Sequence, residues 1–126
     1  MSSTHCPIGE LEKSSNGIVV LTIGHIDSEI TRTQMIETVE LIDATAQKPS
    51  PLLVDATQSH SLSFAALFEM AKATRVIAVA IYAPSAASQS VAEYIEHFQG
   101  KLGAAPYPFG TFSDHAEAIT WLKSFM

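Results

Sequence analysis

The chain has 126 residues, 47% of them hydrophobic, and its 13 acidic and 7 basic residues give a formal net charge of -6. This length and composition suit a single domain, residues 1–126, with one hydrophobic core. No segment concentrates lysine or arginine, so we expect neither nucleic acid nor a membrane surface as a partner. The longest apolar run, residues 76–83, is too short to span a bilayer, and the N-terminus lacks an export-signal pattern. We therefore expect a cytoplasmic protein.

The N-terminal part predicts a β-hairpin. Residues 8–25 contain two short apolar stretches that are joined by Ser14, Ser15, Asn16 and Gly17. The Asn-Gly pair favours the positive backbone angles of a tight hairpin turn. Cys6, which precedes the hairpin, is the only cysteine, so it excludes an intrachain disulfide. Because chain ends are usually poorly ordered, we expect Cys6 to be a loosely held thiol near a frayed terminus.

A first helix is predicted from about Ile30 to Ala46, where apolar residues recur at helical spacing. Its apolar stripe consists of Met35, Val39, Ile42 and Ala46. The apolar run at residues 51–56 is typical of a strand that is buried on both faces of a parallel sheet. A second helix is predicted at residues 62–74.

Residues 75–83 predict a further strand, in which alanine alternates with larger residues. A third helix follows Pro84, residues 107–112 predict a short last strand, and a closing helix follows. We expect Ser113 to cap this closing helix, with Asp114 in its first turn. Because alternating helices and strands need crossover connections, the sequence predicts an α/β fold. Its sheet is expected to be mixed but mainly parallel, with about five strands, begun by the hairpin and covered by four helices.

Two stretches resemble a known family. "LLVDATQS" at residues 52–59 is similar to the strand that ends in aspartate before the regulatory helix of the STAS domain. "GKLGAAPYPFGTFSDHAEAITWLK" at residues 100–123 looks like the C-terminal signature of its SpoIIAA-like branch of small stand-alone bacterial proteins. With the order of elements, the resemblance covers about residues 8–124. It implies a STAS-like, SpoIIAA-like fold and a role in regulation through binding.

The resemblance also implies a place for a regulatory phosphorylation site. Regulatory members carry an Asp-Ser or Asp-Thr pair followed by glycine at the start of the second helix. The corresponding residues here are Ser63, Phe64, Ala65 and Ala66, so the aspartate and the glycine are absent. A phosphate on Ser63 would be favoured by the helix N-terminus, but the context that a kinase of this kind recognises is missing.

Hydroxyls and one histidine cluster between the predicted strand at 51–56 and the second helix. The binding or regulatory candidates are Asp55, Thr57, Ser59, His60, Ser61, Ser63 and Phe64, together with Ser85 and Ser88 at the start of the third helix. Adjacent residues on a short loop seldom aim at one another as a catalytic triad requires, so turn formation and helix capping are the simpler interpretation. The histidines show no metal-ligand spacing, and no cofactor motif is present, so we expect no metal and no cofactor.

The second helix has two different apolar faces. One stripe consists of Phe64, Leu67, Phe68 and Ala71 and suits the sheet. The opposite side carries the interface candidates Leu62, Ala66, Met70 and Ala73. Small apolar residues on an outer helix face favour contact with a second protein surface, and a homodimer is the simplest case.

The sequence therefore predicts a non-enzymatic regulatory or protein-interaction domain that acts through residues 57–74. An alternative is a carrier of a small apolar or amphipathic ligand between the second and third helices. Its pocket would be lined by Phe64, Phe68, Met70, Tyr94 and Phe98. A third alternative is a small hydrolase that uses His60 and a nearby serine.

Overall fold

The computed structural model describes residues 4–24, 31–55, 75–84 and 107–126. This part of the chain contains six strands and two helices. In chain order they are β1 (Thr4–Cys6), β2 (Gly9–Lys13), β3 (Val19–Ile23), α1 (Arg32–Ala46), β4 (Ser50–Asp55), β5 (Val76–Tyr82), β6 (Phe109–Phe112) and α2 (His115–Lys123). The predicted second and third helices lie outside the described residues.

All six strands form one sheet, in the order β1-β2-β3-β4-β5-β6. Strand β2 is antiparallel to β1 and to β3, whereas β3, β4, β5 and β6 are parallel to one another. Only β2 therefore runs against the others among the described strands. The predicted mixed, mainly parallel sheet that begins with a hairpin is confirmed. The predicted strand number is wrong, because β1 adds a sixth strand at the edge.

Strand β1 is joined to β2 by a two-residue turn of Pro7 and Ile8. Neither residue has a positive φ, so this turn lacks the Asn-Gly or Asp-Gly signature that marks many hairpins in a sequence. Pairing with β2 orders the N-terminal segment and turns Cys6 into the core. The Cys6 side chain is 3% exposed, so the expectation of a loosely held thiol is wrong.

The hairpin of β2 and β3 is closed by residues 14–18. Ser14 N donates to Ile18 O over 2.9 Å, and Gly17 N donates to Ser14 O over 3.0 Å. Gly17 has a φ of 88°, but Asn16 has no positive φ, so only one of the two predicted positive angles occurs. The Asn16 side chain instead accepts a hydrogen bond from Ile18 N over 3.1 Å and closes the turn from the side chain.

Helix α1 begins with a capping box, in which Thr31 and Gln34 satisfy each other's backbone amides. The predicted stripe is confirmed. The residues it buries are Met35, Thr38, Val39, Ile42 and Ala46. At the other end, Lys13 Nζ donates to Ala46 O over 2.8 Å, which places a positive charge at the helix C-terminus. The same carbonyl also accepts a hydrogen bond from Lys48 N over 2.7 Å.

Helix α2 is capped by Asp114, whose Oδ1 accepts a hydrogen bond from Glu117 N over 3.1 Å. The prediction that Ser113 is the cap is therefore wrong by one residue. Ala118 and Leu122 are fully buried at 0% exposure. Trp121 and Phe125 are half-buried and pack against the same cluster, in agreement with the expected inner face.

The two helices lie on opposite faces of the sheet. Helix α1 packs against β1, β2 and β3, and α2 packs against β4, β5 and β6. Val19, Leu21 and Ile23 belong to the core under α1, whereas Leu53 and Ala80 belong to the core under α2. We call these two sides the α1 face and the α2 face.

Strand β5 changes its alternation at Ile77. Ser50 pairs with Val76 and Pro51 pairs with Ala78, so Ile77 is the extra residue of a bulge. Beyond the bulge, Ala78 and Ala80 lie on the α2 face, as does Tyr82 at the end of the strand, and Val79 and Ile81 lie on the α1 face. No helix in the described ranges is long and apolar enough to cross a bilayer.

Candidate functional site

One row of side chains crosses all six described strands near the carboxyl ends of the parallel strands. Each strand contributes one residue, and each residue is paired with the next. The members, in order from β1 to β6, are His5, Glu10, Thr22, Asp55, Tyr82 and Phe112. We call these six residues the carboxyl-edge row. In open α/β sheets, this edge is where ligands usually bind.

The carboxyl-edge row lies on the α2 face. Leu53 and Ala80 pack under α2, and they precede Asp55 and Tyr82 by two positions in their strands. Because residues two apart in a strand share a face, Asp55 and Tyr82 lie on that face as well. Tyr82 and Phe112 in fact pack against the cluster under α2.

Exposure changes along the row. Asp55, Tyr82 and Phe112 are half-buried, whereas His5 and Glu10 are exposed. Thr22 is exposed too, although it lies next to Asp55 in the sheet. Since α2 packs on β4, β5 and β6, the half of the row that β1, β2 and β3 supply is open to solvent.

Aromatic contacts hold the covered half of the row in place. The His115 ring meets the Tyr82 ring edge-on, with 5.2 Å between their centroids. The Trp121 ring lies 5.3 Å from Phe112 and 4.8 Å from Phe125 by the same measure. Tilted and edge-to-face pairs of this kind are favourable, so they fix α2 above the covered half of the row.

The open half of the α2 face is acidic. Glu10 and Glu12 lie there on alternate positions of β2, and Asp55 on β4 borders this half. Lys13 is the only lysine or arginine in the six described strands, and it reaches Ala46 O on the α1 side. The local field on this half therefore favours positively charged groups.

A cleft of about 440 Å³ lies at the outer end of the row. It is lined by His5, Cys6, Pro7, Ile8, Gly9, Glu10, Thr22 and Gly24. Gly9 is required at this place, because a Cβ there would lie 1.9 Å from Thr22 O. Gly24 N donates to Ile8 O over 2.9 Å and ties the end of β3 to the turn after β1.

A second polar cluster joins α1 to the entrances of β5 and β6. Arg75 N donates to Asp43 Oδ1 over 2.9 Å, and Arg75 Nη1 donates to Asp43 O over 3.3 Å. Tyr107 is 8% exposed. Burial, assisted by the negative charge of Asp43, raises the pKa of Tyr107 to about 12. Tyr107 is therefore protonated at neutral pH, and we assign this cluster a structural role.

In the parts of the chain that the structure describes, no group of three or more histidine, cysteine, aspartate or glutamate side chains is placed to hold a metal ion. The carboxyl-edge row separates its ionisable groups on different strands. Its chemistry is that of hydrogen bonding and charge.

Comparison with known proteins identifies the family. The family model DUF7793, a domain of unknown function, matches residues 13–126. The chain belongs to the DUF7793 family. None of the curated proteins compared with it matches.

A solved structure has a fold similar to this DUF7793 domain. It is the crystal structure of an uncharacterized protein from the DUF3478 family, with a SpoIIAA-like fold, from Shewanella loihica PV-4. The two chains are 19% identical, the match covers 97% of this chain and 98% of that one, and the TM-score is 0.59. The similarity is one of fold, and it confirms the SpoIIAA-like architecture that the sequence resembles.

Of the candidates that the sequence indicated in this DUF7793 domain, the structure describes Asp55. Asp55 ends β4 and lies between Thr22 and Tyr82 in the row. The other candidates lie outside the described residues and stay predictions. They are Thr57, Ser59, His60, Ser61, Ser63, Phe64, Ser85 and Ser88, with the interface residues Leu62, Ala66, Met70 and Ala73 and the pocket residues Phe68, Tyr94 and Phe98.

Sequence reasoning missed the other polar members of the row. His5, Glu10 and Thr22 were not candidates, and neither was His115 above Tyr82. One signal was available, because Glu10 and Glu12 alternate with Leu11 in the sequence and so predict a polar side of β2. The pairing of that side with Asp55 depends on the register of three strands.

Proposed function

We propose that this DUF7793 domain is a non-enzymatic protein-interaction domain whose binding surface is formed by residues 57–74. Its first partner, on this proposal, is a second copy of the chain. The observation that carries the proposal is the burial of the α1 face beyond the strands that α1 covers. The SpoIIAA-like fold supports only the arrangement of helices and strands on which the proposal rests.

On the α1 face, buried side chains extend over more strands than α1 packs against. This helix packs against β1, β2 and β3. Val54, Val79 and Ile81 also lie on that face, on β4 and β5, and they are only 3%, 0% and 2% exposed. These three side chains therefore need cover that α1 does not supply.

The connection from β4 to β5 is suited to supply that cover. The two strands are parallel neighbours, as are β3 and β4, which α1 connects. Because such crossovers are right-handed in nearly all proteins, we expect residues 56–74 to cross on the α1 face as well. The stripe of Phe64, Leu67, Phe68 and Ala71 would then face Val79 and Ile81.

That arrangement would leave the opposite stripe of the helix outward. Its residues are Leu62, Ala66, Met70 and Ala73. An outward stripe of apolar and mostly small residues favours the close approach of another helix, and the same stripe on a second copy meets this requirement by two-fold symmetry. Residues 57–63 would lie at the rim of the contact.

The oligomeric state tests the proposal. Sedimentation equilibrium is expected to show a dimer for the wild-type chain and a monomer for Ala66→Glu, because a buried unpaired carboxylate is costly at a helix contact. Lys72→Glu is the control, since the sequence pattern predicts Lys72 on the polar flank of the same predicted helix. It should leave the dimer intact, and circular dichroism should show that both variants remain folded.

A strictly monomeric wild-type chain that also recovers no specific partner from a cell lysate would contradict the proposal. An apolar molecule that co-purifies with a monomer, detected by native mass spectrometry, would favour the carrier instead. If a broad substrate screen finds an activity that His60→Ala abolishes, the domain is an enzyme and the proposal is wrong.

A further inference from the structure

We propose that the cleft at the outer end of the carboxyl-edge row binds a small molecule that carries a protonated primary amine. The inference does not depend on the proposed interaction surface. It uses residues of β1, β2 and β3, whereas that surface belongs to residues 57–74.

The first argument is the arrangement of hydrogen-bond acceptors. His5, Glu10 and Thr22 lie on three neighbouring strands and are paired in register, His5 with Glu10 and Glu10 with Thr22. Neighbouring strands are about 4.8 Å apart, so the three side chains extend from one line about 10 Å long. All three line the cleft and are exposed.

The second argument is the match of these acceptors to an ammonium group. Glu10 offers carboxylate oxygens, Thr22 a hydroxyl oxygen and His5 a ring nitrogen. A primary ammonium has three N–H donors and no acceptor. One such group can therefore use all three residues, and the bond to the Glu10 carboxylate is the strong one because both partners carry charge.

The third argument is electrostatic. Glu10 is the only carboxylate in the lining, and all the residues that line the cleft are described, with neither lysine nor arginine among them. Glu12 adds a second negative charge on the same face of β2. An anionic ligand would meet repulsion here, whereas a cation is attracted.

The shape of the cleft limits the rest of the ligand. Its volume of about 440 Å³ lies within the range of small-molecule sites, roughly 300 to 1,000 Å³. Away from the three acceptors, the wall consists of the Pro7-Ile8 turn, the buried Cys6 and two glycines, Gly9 and Gly24. Pro7 is exposed, whereas Cys6 and Ile8 are almost fully buried, so this wall presents the Pro7 ring and backbone. It suits a short aliphatic body behind the amine.

Three probes of equal length test the chemistry. The full chain, labelled with ¹⁵N, is titrated at a fixed pH and salt concentration with n-butylamine, n-butanol and butyrate. Amide signals of Cys6, of Ile8 to Glu10 and of Thr22 to Gly24 are expected to shift saturably with n-butylamine only. The proposal is overturned if n-butylamine causes no saturable shift, or if n-butanol or butyrate binds as tightly.

Variants locate the contact. Glu10→Gln is expected to weaken n-butylamine binding at least about tenfold, as the loss of a charged hydrogen bond does. Thr22→Val should weaken it a few-fold. Glu12→Gln is the matched control, because Glu12 lies two residues further along the same face of β2 but does not line the cleft. This substitution should weaken n-butylamine binding less than about twofold. Equal effects of Glu10→Gln and Glu12→Gln would mean attraction at a distance and would refute the site.

Discussion

Alkaline pH is expected to destabilise this fold through Tyr107. Burial and the charge of Asp43 raise the pKa of Tyr107 from 10.0 to about 12. The unfolded chain therefore releases this proton at a lower pH than the folded chain does. Since the proton favours the folded state, the stabilisation is complete below about pH 10 and is lost as the pH rises towards 12.

The size of the effect follows from the two pKa values. A pKa difference of about two corresponds to a limit of roughly 3 kcal/mol in the free energy of unfolding. At about pH 11, midway between the two values, roughly half of this stabilisation is lost. That is a measurable part of the stability of a small domain, which is roughly 5 to 15 kcal/mol.

Urea unfolding at about pH 8 and about pH 11 measures the loss. Trp121, the only tryptophan, packs against Phe112 and Phe125 and reports unfolding by its fluorescence. Tyr107→Phe lacks the titrating hydroxyl and should lose roughly 1 kcal/mol less than the wild type between the two pH values. Tyr82→Phe, which keeps Tyr107, is the control, and its free energy of unfolding should decrease between the two pH values as much as that of the wild type. Equal losses in the wild type and Tyr107→Phe would refute the reasoning.

Three substitutions test the local structure by urea unfolding at neutral pH. Gln47→Gly should raise the free energy of unfolding by about 1 kcal/mol, because Gln47 has a φ of 63° at the end of α1, which is strained for a residue other than glycine. An unchanged free energy of unfolding would contradict this reasoning. Leu122→Ala should lower the free energy of unfolding by about 3 kcal/mol, because Leu122 is fully buried. Ile119 is half-buried, so Ile119→Ala should lower it less, and the reversed order would mean that α2 packs differently. Asp114→Ala should cost about 1 kcal/mol and Ser113→Ala less than about 0.5, and the opposite ranking would restore Ser113 as the cap.

The sequence predicts those elements whose pattern is local. The stripe of Met35, Val39, Ile42 and Ala46 suffices for α1, because helical spacing repeats within the segment. The continuous apolar run of β4 predicts a strand covered on both faces, and its burial confirms this. Strand β1 was missed because its three residues carry no periodicity and its turn has no recognisable sequence signature.

The candidate site depends on strand register, which local patterns do not fix. A loop of the four residues 14–17 would pair Lys13 with Ile18, but the structure pairs Lys13 with Val19. A shift of one residue turns a whole strand over, so the hairpin length decides whether Thr22 or Leu21 lies opposite Glu10. Asp55 was found from the sequence because it ends a strand. Its neighbours were not, because the parallel pairings join segments that lie far apart in the chain.

The open half of the α2 face follows from the widths of the elements. Six strands span about 24 Å, whereas one helix with its side chains is about 10 to 12 Å across. A single helix such as α2 can therefore cover about three strands. Where α2 does not reach, the α2 face of β2 and β3 carries the polar residues Glu10, Glu12 and Thr22. Exposed polar positions of this kind contribute little to stability, usually within about 0.5 kcal/mol. Glu10→Gln and Thr22→Val should consequently unfold at nearly the wild-type urea concentration, so that any loss of amine binding reports on the cleft itself and not on the fold.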